Sequence, residues 1–113
     1  MDSPGTGIMA SPERIREIIE FATTDAYGDD EVMAGWGVAF DDAVTLPLQA
    51  RALGKPVTVL AFDSDARHGI RCEIQGEGIG KRWVGVDTLD VESLPEGARE
   101  VVEAFEAWSE GDY

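Results

Sequence analysis

The chain has 113 residues, with 9 Lys and Arg against 23 Asp and Glu and a formal net charge of −14. Because phosphate groups repel an acidic surface, this charge argues against nucleic acids and acidic membrane surfaces as partners. One cysteine, Cys72, and one histidine, His68, exclude an intrachain disulfide and zinc sites built from several thiolates or imidazoles. No apolar run approaches the roughly 20 residues that span a bilayer and residues 1–7 lack the pattern of a signal peptide, so we expect a single cytoplasmic domain.

The N-terminal part of the sequence predicts a disordered tail followed by a helix. Residues 1–10 are small and polar with glycine and proline, which leaves residues 11–113 as the single domain. Ser11, Pro12 and Glu13 together form a helix start. The helix is expected to extend to about residues 24–27, with one apolar face formed by Ile15, Ile18, Ile19 and Ala22.

A second helix is predicted after Gly28, capped by Asp29 or Asp30. It should end near Thr45, because Pro47 disfavours helical geometry in the residue before it. Its apolar residues recur every three or four positions and are Met33, Trp36, Phe40 and Val44.

Four short strands and a last helix complete the predicted fold. Alternating or β-rich patterns predict strands at 48–52, 57–62, 70–74 and 82–86, with turns at 54–56 and 76–80 and a loop at 63–69. Ser93-Leu94-Pro95-Glu96 has the form of a capping box and predicts a helix over 95–109. The predicted class is α+β, with two N-terminal helices, a small antiparallel SH3-like β-barrel and a C-terminal helix.

The sequence offers little for catalysis. It contains no G-x-S-x-G nucleophile motif, and Cys72 falls on the inward side of its strand while His68 falls in a polar loop. The glycines between 76 and 80 lack the spacing of a dinucleotide-binding loop. We therefore expect that the protein is not an enzyme; Cys72 or a carboxylate pair would be the groups to test.

Carboxylates are the one ligand type that the sequence supplies in quantity, and calcium takes about six to eight oxygen ligands. The densest cluster is 25–31, with four carboxylates in seven residues, and Asp41 and Asp42 follow near the end of the second helix. Neither Asp25 nor Asp63 begins an EF-hand loop, because the sixth-position glycine and the twelfth-position glutamate are missing. A calcium site in this chain is therefore predicted to be of a non-EF-hand type.

The two acidic clusters are too far apart on one helix to share an ion. Asp30 and Asp42 are twelve residues apart, which is about 18 Å at the rise of an α-helix, so they need two sites unless the helix breaks at one of its glycines. Both clusters also have explanations without metal. Residues 29–31 suit a helix start, and acids at a helix end are balanced either by a cation or by an arginine such as Arg51.

Four short motifs occur together in the N-terminal half: Asp25-Ala26-Tyr27-Gly28-Asp29-Asp30-Glu31, Gly35-Trp36, Phe40-Asp41-Asp42 and Leu46-Pro47-Leu48. This arrangement resembles the small acidic calcium-binding proteins first recognised in cyanobacteria, the CcbP-type family. The sequence departs from that family at residues 37–39 and at the leucines beside Pro47, where members carry aromatic residues. The resemblance implies that Asp25, Asp30, Glu31, Asp41 and Asp42 bind calcium, and that Asp63 and Asp65 complete a site from the β-domain side.

The predicted function is calcium binding, as a cytoplasmic buffer or sensor with Ca²⁺ as its ligand. The alternative is an acidic protein-interaction module that docks a basic protein partner and uses exposed aromatic residues such as Trp36 or Trp108 as anchors. Adaptation to a high-salt cytoplasm is a further explanation for part of the acidity.

Overall fold

The fold consists of three α-helices and a four-stranded antiparallel sheet. This computed structural model describes residues 10–65 and 67–111. Helices α1, α2 and α3 span Pro12–Thr23, Asp29–Ala43 and Glu96–Ser109, and strands β1, β2, β3 and β4 span Leu48–Ala52, Lys55–Asp65, Gly69–Gly76 and Gly80–Gly85. The predicted α+β class is confirmed. The predicted disordered tail, residues 1–10, lies outside the described residues except for Ala10, whose amide donates to Glu103 Oε1 on α3 at 2.6 Å.

Helix α1 begins where the sequence predicts. The hydroxyl oxygen of Ser11 accepts a hydrogen bond from the Arg14 amide at 3.1 Å, which satisfies one of the free N–H groups of the first turn. The helix ends at Thr23, because Thr24 already has extended backbone geometry. Within the described residues, no helix is long and apolar enough to cross a membrane.

The sheet is an antiparallel meander in the order β1-β2-β3-β4, and it is not closed. After β4 the chain forms two 3₁₀ turns, Val86–Thr88 and Val91–Ser93. This segment contacts the edge of β1 through a bridge between Ala52 and Leu89 and through a hydrogen bond from the Asp90 amide to the Arg51 carbonyl at 2.8 Å. The SH3-like barrel is therefore not confirmed, since the segment that would carry the sheet back to β1 forms 3₁₀ turns instead of a strand.

The first hairpin turn is shifted from its predicted position. Leu53 and Gly54 both have positive φ, 57° and 75°, and they form the turn between β1 and β2. Lys55 and Pro56, predicted as turn residues, belong to β2. This strand also extends to Asp65, so the loop predicted to begin at residue 63 is shorter than expected.

Two predicted helix caps are wrong. Gly28, with a φ of 92°, precedes α2 and offers no side-chain cap, and the two aspartates that follow it lie in the first helical turn. Helix α3 begins after Pro95. The Ser93 hydroxyl accepts instead from the Arg51 amide at 2.9 Å, so a contact with the edge of β1 replaces the predicted capping box.

Trp36 of α2 lies fully buried at the centre of the core. Its ring contacts those of Phe105 and Trp108 on α3, with centroids 5.3 and 5.6 Å apart, while Phe40 contacts Phe62 of β2 at 5.2 Å. Trp36 is therefore not available as the exposed anchor of an interaction module. The sheet residues that face this core include the predicted inward set Ile70, Cys72 and Ile74.

Two glycines let α2 lie close to its neighbours. A Cβ added at Gly35 would overlap the carbonyl oxygen of Ala22 on α1, and one added at Gly37 would lie 2.7 Å from the Ser64 hydroxyl oxygen on β2. Helix α2 is continuous through both positions. The middle of α2 therefore lies close to α1 at Gly35 and close to β2 at Gly37.

Candidate functional site

The corner between α1 and α2 holds the densest group of predicted ligands. Asp25 follows the end of α1 with a φ of 60°, a left-handed conformation that aspartate tolerates better than most residues. The Tyr27 amide donates to Glu31 Oε1 at 2.7 Å. The Glu31 carboxylate therefore already has one structural role, which is to hold the corner against the first turn of α2.

Asp25 and Glu31 face the same open groove. The groove has a volume of about 430 Å³ and is formed between the end of α1 and the first half of α2, with Thr24 and Gly35 also in its wall. Both carboxylates are exposed to solvent. The structure thus brings together two of the five predicted ligands.

Asp30 lies outside this groove. It occupies the second position of α2 and is exposed, as is Asp29 before it. Acids at these positions are stabilised by the positive end of the helix by about 0.3–1 kcal/mol without a metal. The structure therefore gives Asp30 a helix-end role and does not group it with Asp25 and Glu31.

Asp41 lies at a second groove, where α2 contacts β2. Asp63 and Ser64 of β2 line the same cavity of about 190 Å³. Asp63 also pairs with Arg71 of β3, with Oδ2 and Nη2 3.6 Å apart. Asp63 and Asp41 thus line one cavity, and the calcium-binding role predicted for Asp63 stays a prediction. The side chain of Asp65 lies outside the described part of the chain.

Asp42 faces a third cavity, of about 170 Å³, that is also lined by Arg14. The Arg14 guanidinium donates to Glu100 at 3.0 Å and to Glu17 at 3.2 Å, and the bond to Glu100 is the main reason its pKa is raised. Arg51, the alternative partner, instead donates to the Gly54 carbonyl at 3.2 Å. Among the described residues, no ion pair joins Arg51 to Asp42.

The predicted ligands therefore do not form one site. Because α2 is unbroken, Glu31 and Asp41 are about 15 Å apart along its axis. Across residues 10–65 and 67–111, no three carboxylate, imidazole or thiol side chains are grouped closely enough to hold one ion. Each groove offers two carboxylates, whereas calcium takes about six to eight oxygen ligands in all.

A third group of carboxylates was missed by the sequence interpretation. Glu106 of α3, Glu110 directly after the end of α3 and Asp87 of the first 3₁₀ turn line one cavity of about 260 Å³, together with His68. Burial raises the pKa of Glu106, and Asp87, Glu110 and Glu103 add to the effect. The spacing of Glu103, Glu106 and Glu110 is visible in the sequence, but the approach of Asp87 depends on tertiary packing.

Cys72 is buried in β3. Burial raises the pKa of its thiol to about 12, and the charge of Asp87 contributes to the shift. Since the thiolate is the nucleophilic form, this environment disfavours Cys72 as a catalytic group.

Comparisons with known proteins support the fold. No family model matches the chain, and no curated protein matches it. A solved structure described as a calcium-binding protein in its calcium-binding form has a TM-score of 0.72 to this one, and the match covers 95% of this chain and 97% of that chain at 16% sequence identity. At that identity the similarity shows a shared fold, and the resemblance to the CcbP-type family stays a prediction.

Proposed function

We propose that this protein binds calcium, as a cytoplasmic buffer or sensor. The observation that carries the proposal is the shared fold, since a structure that matches nearly the whole chain is that of a calcium-binding protein. The formal net charge of −14 supports it, because a cation relieves the repulsion among clustered carboxylates.

The helix corner is the proposed first site. Asp25 and Glu31 contribute carboxylate oxygens from the end of α1 and the start of α2, on either side of one groove. Calcium accepts carboxylate, carbonyl and water oxygens in a flexible geometry, which suits an exposed groove. An ion held there would tie the two helix ends together.

The groove between α2 and β2 is the proposed second site. It offers Asp41 and Asp63, and the Arg71 partner of Asp63 is 3.6 Å away, so an ion would compete with this arginine. Asp30 and Asp42 are the weaker candidates, because Asp30 lines neither groove and the cavity of Asp42 already contains the cationic Arg14.

Each calcium site is expected to increase the free energy of unfolding by RT ln(1 + [Ca²⁺]/Kd). A buffer needs only this binding. A sensor needs in addition a surface that changes on binding, and the corner between α1 and α2 is the surface that we propose for this role.

The test is calorimetric titration with Ca²⁺, and with Mg²⁺ as competitor, in about 0.15 M KCl to screen diffuse charge. Glu31→Gln and Asp41→Asn each address one groove, and the amide of the first can still accept the Tyr27 hydrogen bond. Glu77→Gln, in the exposed turn between β3 and β4, removes the same charge elsewhere and is the matched control.

We expect saturable binding of two ions, weakened at one site by Glu31→Gln and at the other by Asp41→Asn, and unchanged in Glu77→Gln. Unsaturable heats that fade with added salt and respond alike to all three substitutions would contradict the proposal. They would mean that the carboxylates form a solvated surface.

A further inference from the structure

Two large apolar side chains lie exposed on neighbouring helices. Phe21 of α1 and Val38 of α2 each expose 57% of their surface. Both line the groove at the helix corner, and Phe21 also lines the cavity beside Asp42. Exposed apolar side chains that adjoin a groove favour a partner that covers them.

Small residues also line this groove. Ala22, Ala34 and Gly35 line it together with Phe21 and Val38, and Gly35 lies close to the Ala22 carbonyl of α1. Small residues leave room for an incoming side chain between the two exposed ones. The groove thus has the form that receives the apolar face of a peptide.

Carboxylates border this apolar strip at both ends. Asp25 and Glu31 lie at one end, and Asp42 lies at the other, beside Phe21. Arg14 lines the same cavity as Asp42, but its guanidinium is already paired with Glu17 and Glu100. Glu31 and Asp42 are eleven residues apart on one helix, which is about 16 Å. With a net charge of −14 on the whole chain, an acidic partner is repelled and a basic one is attracted.

We propose that the α1–α2 groove docks a basic amphipathic segment of another protein, with apolar side chains placed between Phe21 and Val38 and lysine or arginine near the carboxylates at each end. This inference does not rest on calcium binding, because the apolar strip and its charges are present without the ion. Phe21 and Val38 take the anchoring role that the buried Trp36 does not fill.

The probe is a fluorescein-labelled synthetic peptide with leucines along one face of a helix and lysines along the other. Fluorescence anisotropy is measured in EDTA, so that failure of the calcium proposal does not affect the result. Val38→Asp tests the groove, and Leu53→Asp, at an exposed leucine in the β1–β2 turn, adds the same charge elsewhere. A peptide with glutamate in place of lysine tests the charge requirement.

We expect saturable binding that Val38→Asp weakens by about tenfold, the effect of losing one good contact, while Leu53→Asp leaves it unchanged and the glutamate peptide does not bind. Equal affinity of the two variants would overturn the proposal, since acidity alone would then attract the peptide. If circular dichroism shows that Val38→Asp does not fold, Val38→Gln replaces it, with a smaller loss expected. A dimer of the protein that Val38→Gln dissociates would assign the groove to a second copy and also overturn the proposal.

Discussion

At Gly35 the backbone of α2 lies against the carbonyl of Ala22, where an added Cβ would overlap the oxygen. Alanine improves helix propensity by about 1 kcal/mol over glycine, so propensity alone predicts that Gly35→Ala stabilises the protein. We expect the steric overlap to dominate and Gly35→Ala to lower the free energy of unfolding by about 1–3 kcal/mol, as measured by urea denaturation.

Gly37→Ala is the matched control for this prediction. Its Cβ would lie 2.7 Å from the hydroxyl oxygen of the Ser64 side chain, and a side chain can rotate where a backbone carbonyl cannot. Gly37→Ala should therefore cost less than Gly35→Ala. Equal stability of the two variants would show that the α1–α2 contact is not as rigid as the structure describes.

At the scale of elements, the carboxylates of Glu106, Glu110 and Asp87 line one cavity between the end of α3 and the first 3₁₀ turn, and burial is the first cause of the raised pKa of Glu106. Because its pKa is raised in the folded state, the Glu106 carboxyl favours folding at pH values below its unfolded pKa of 4.5. This contribution to stability is lost as the pH rises through the folded-state pKa. Glu106→Gln keeps a neutral side chain at every pH. We expect it to raise the melting temperature at neutral pH.

The gain from Glu106→Gln should shrink as the pH falls below about 4, where the native carboxyl is also protonated. Thermal denaturation followed by circular dichroism at both pH values checks this. Glu77→Gln, at an exposed turn, removes the same charge and should change the melting temperature little. A gain from Glu106→Gln that persisted undiminished at low pH would contradict the electrostatic explanation.

The periodicity of apolar residues predicted the helices and strands well, because buried faces repeat at 3.6 or 2 residues whatever the tertiary context. The ends of elements were less predictable. Ser93 has the sequence of a cap, but its hydroxyl contacts the Arg51 amide. Similarly, Leu53 precedes Gly54 in the first hairpin turn, and both residues have positive φ. Nothing in the conformational preferences of leucine predicts this for Leu53.

At the scale of the whole molecule, tertiary packing limits how far the site can be predicted from the sequence. The sequence identified all the carboxylates at the two ends of α2, and the helical rise correctly separated them because α2 does not break. What it did not identify is which acids share a groove. Asp41 and Asp63 are brought together by the packing of α2 on β2, and Asp87 and Glu106 by the packing of α3 on the 3₁₀ turn.

The net charge of −14 makes the whole fold sensitive to salt. Raising KCl from about 0.01 M to about 1 M shortens the Debye length from about 30 Å to about 3 Å, so the melting temperature should rise with KCl. Calcium chloride at matched ionic strength should raise it further, through binding to the folded state. Equal effects of the two salts in differential scanning calorimetry would indicate salt adaptation alone.

The contacts of α3 also determine when this chain can complete its folding during synthesis. Helices α1 and α2 leave the ribosome first, yet Trp36 packs against Phe105 and Trp108, and Arg14 is held by Glu100. Contacts that join distant parts of a chain form late and slowly. The Trp36 side of α2 therefore stays uncovered until α3 has been translated. The nascent chain is most prone to aggregation during that interval.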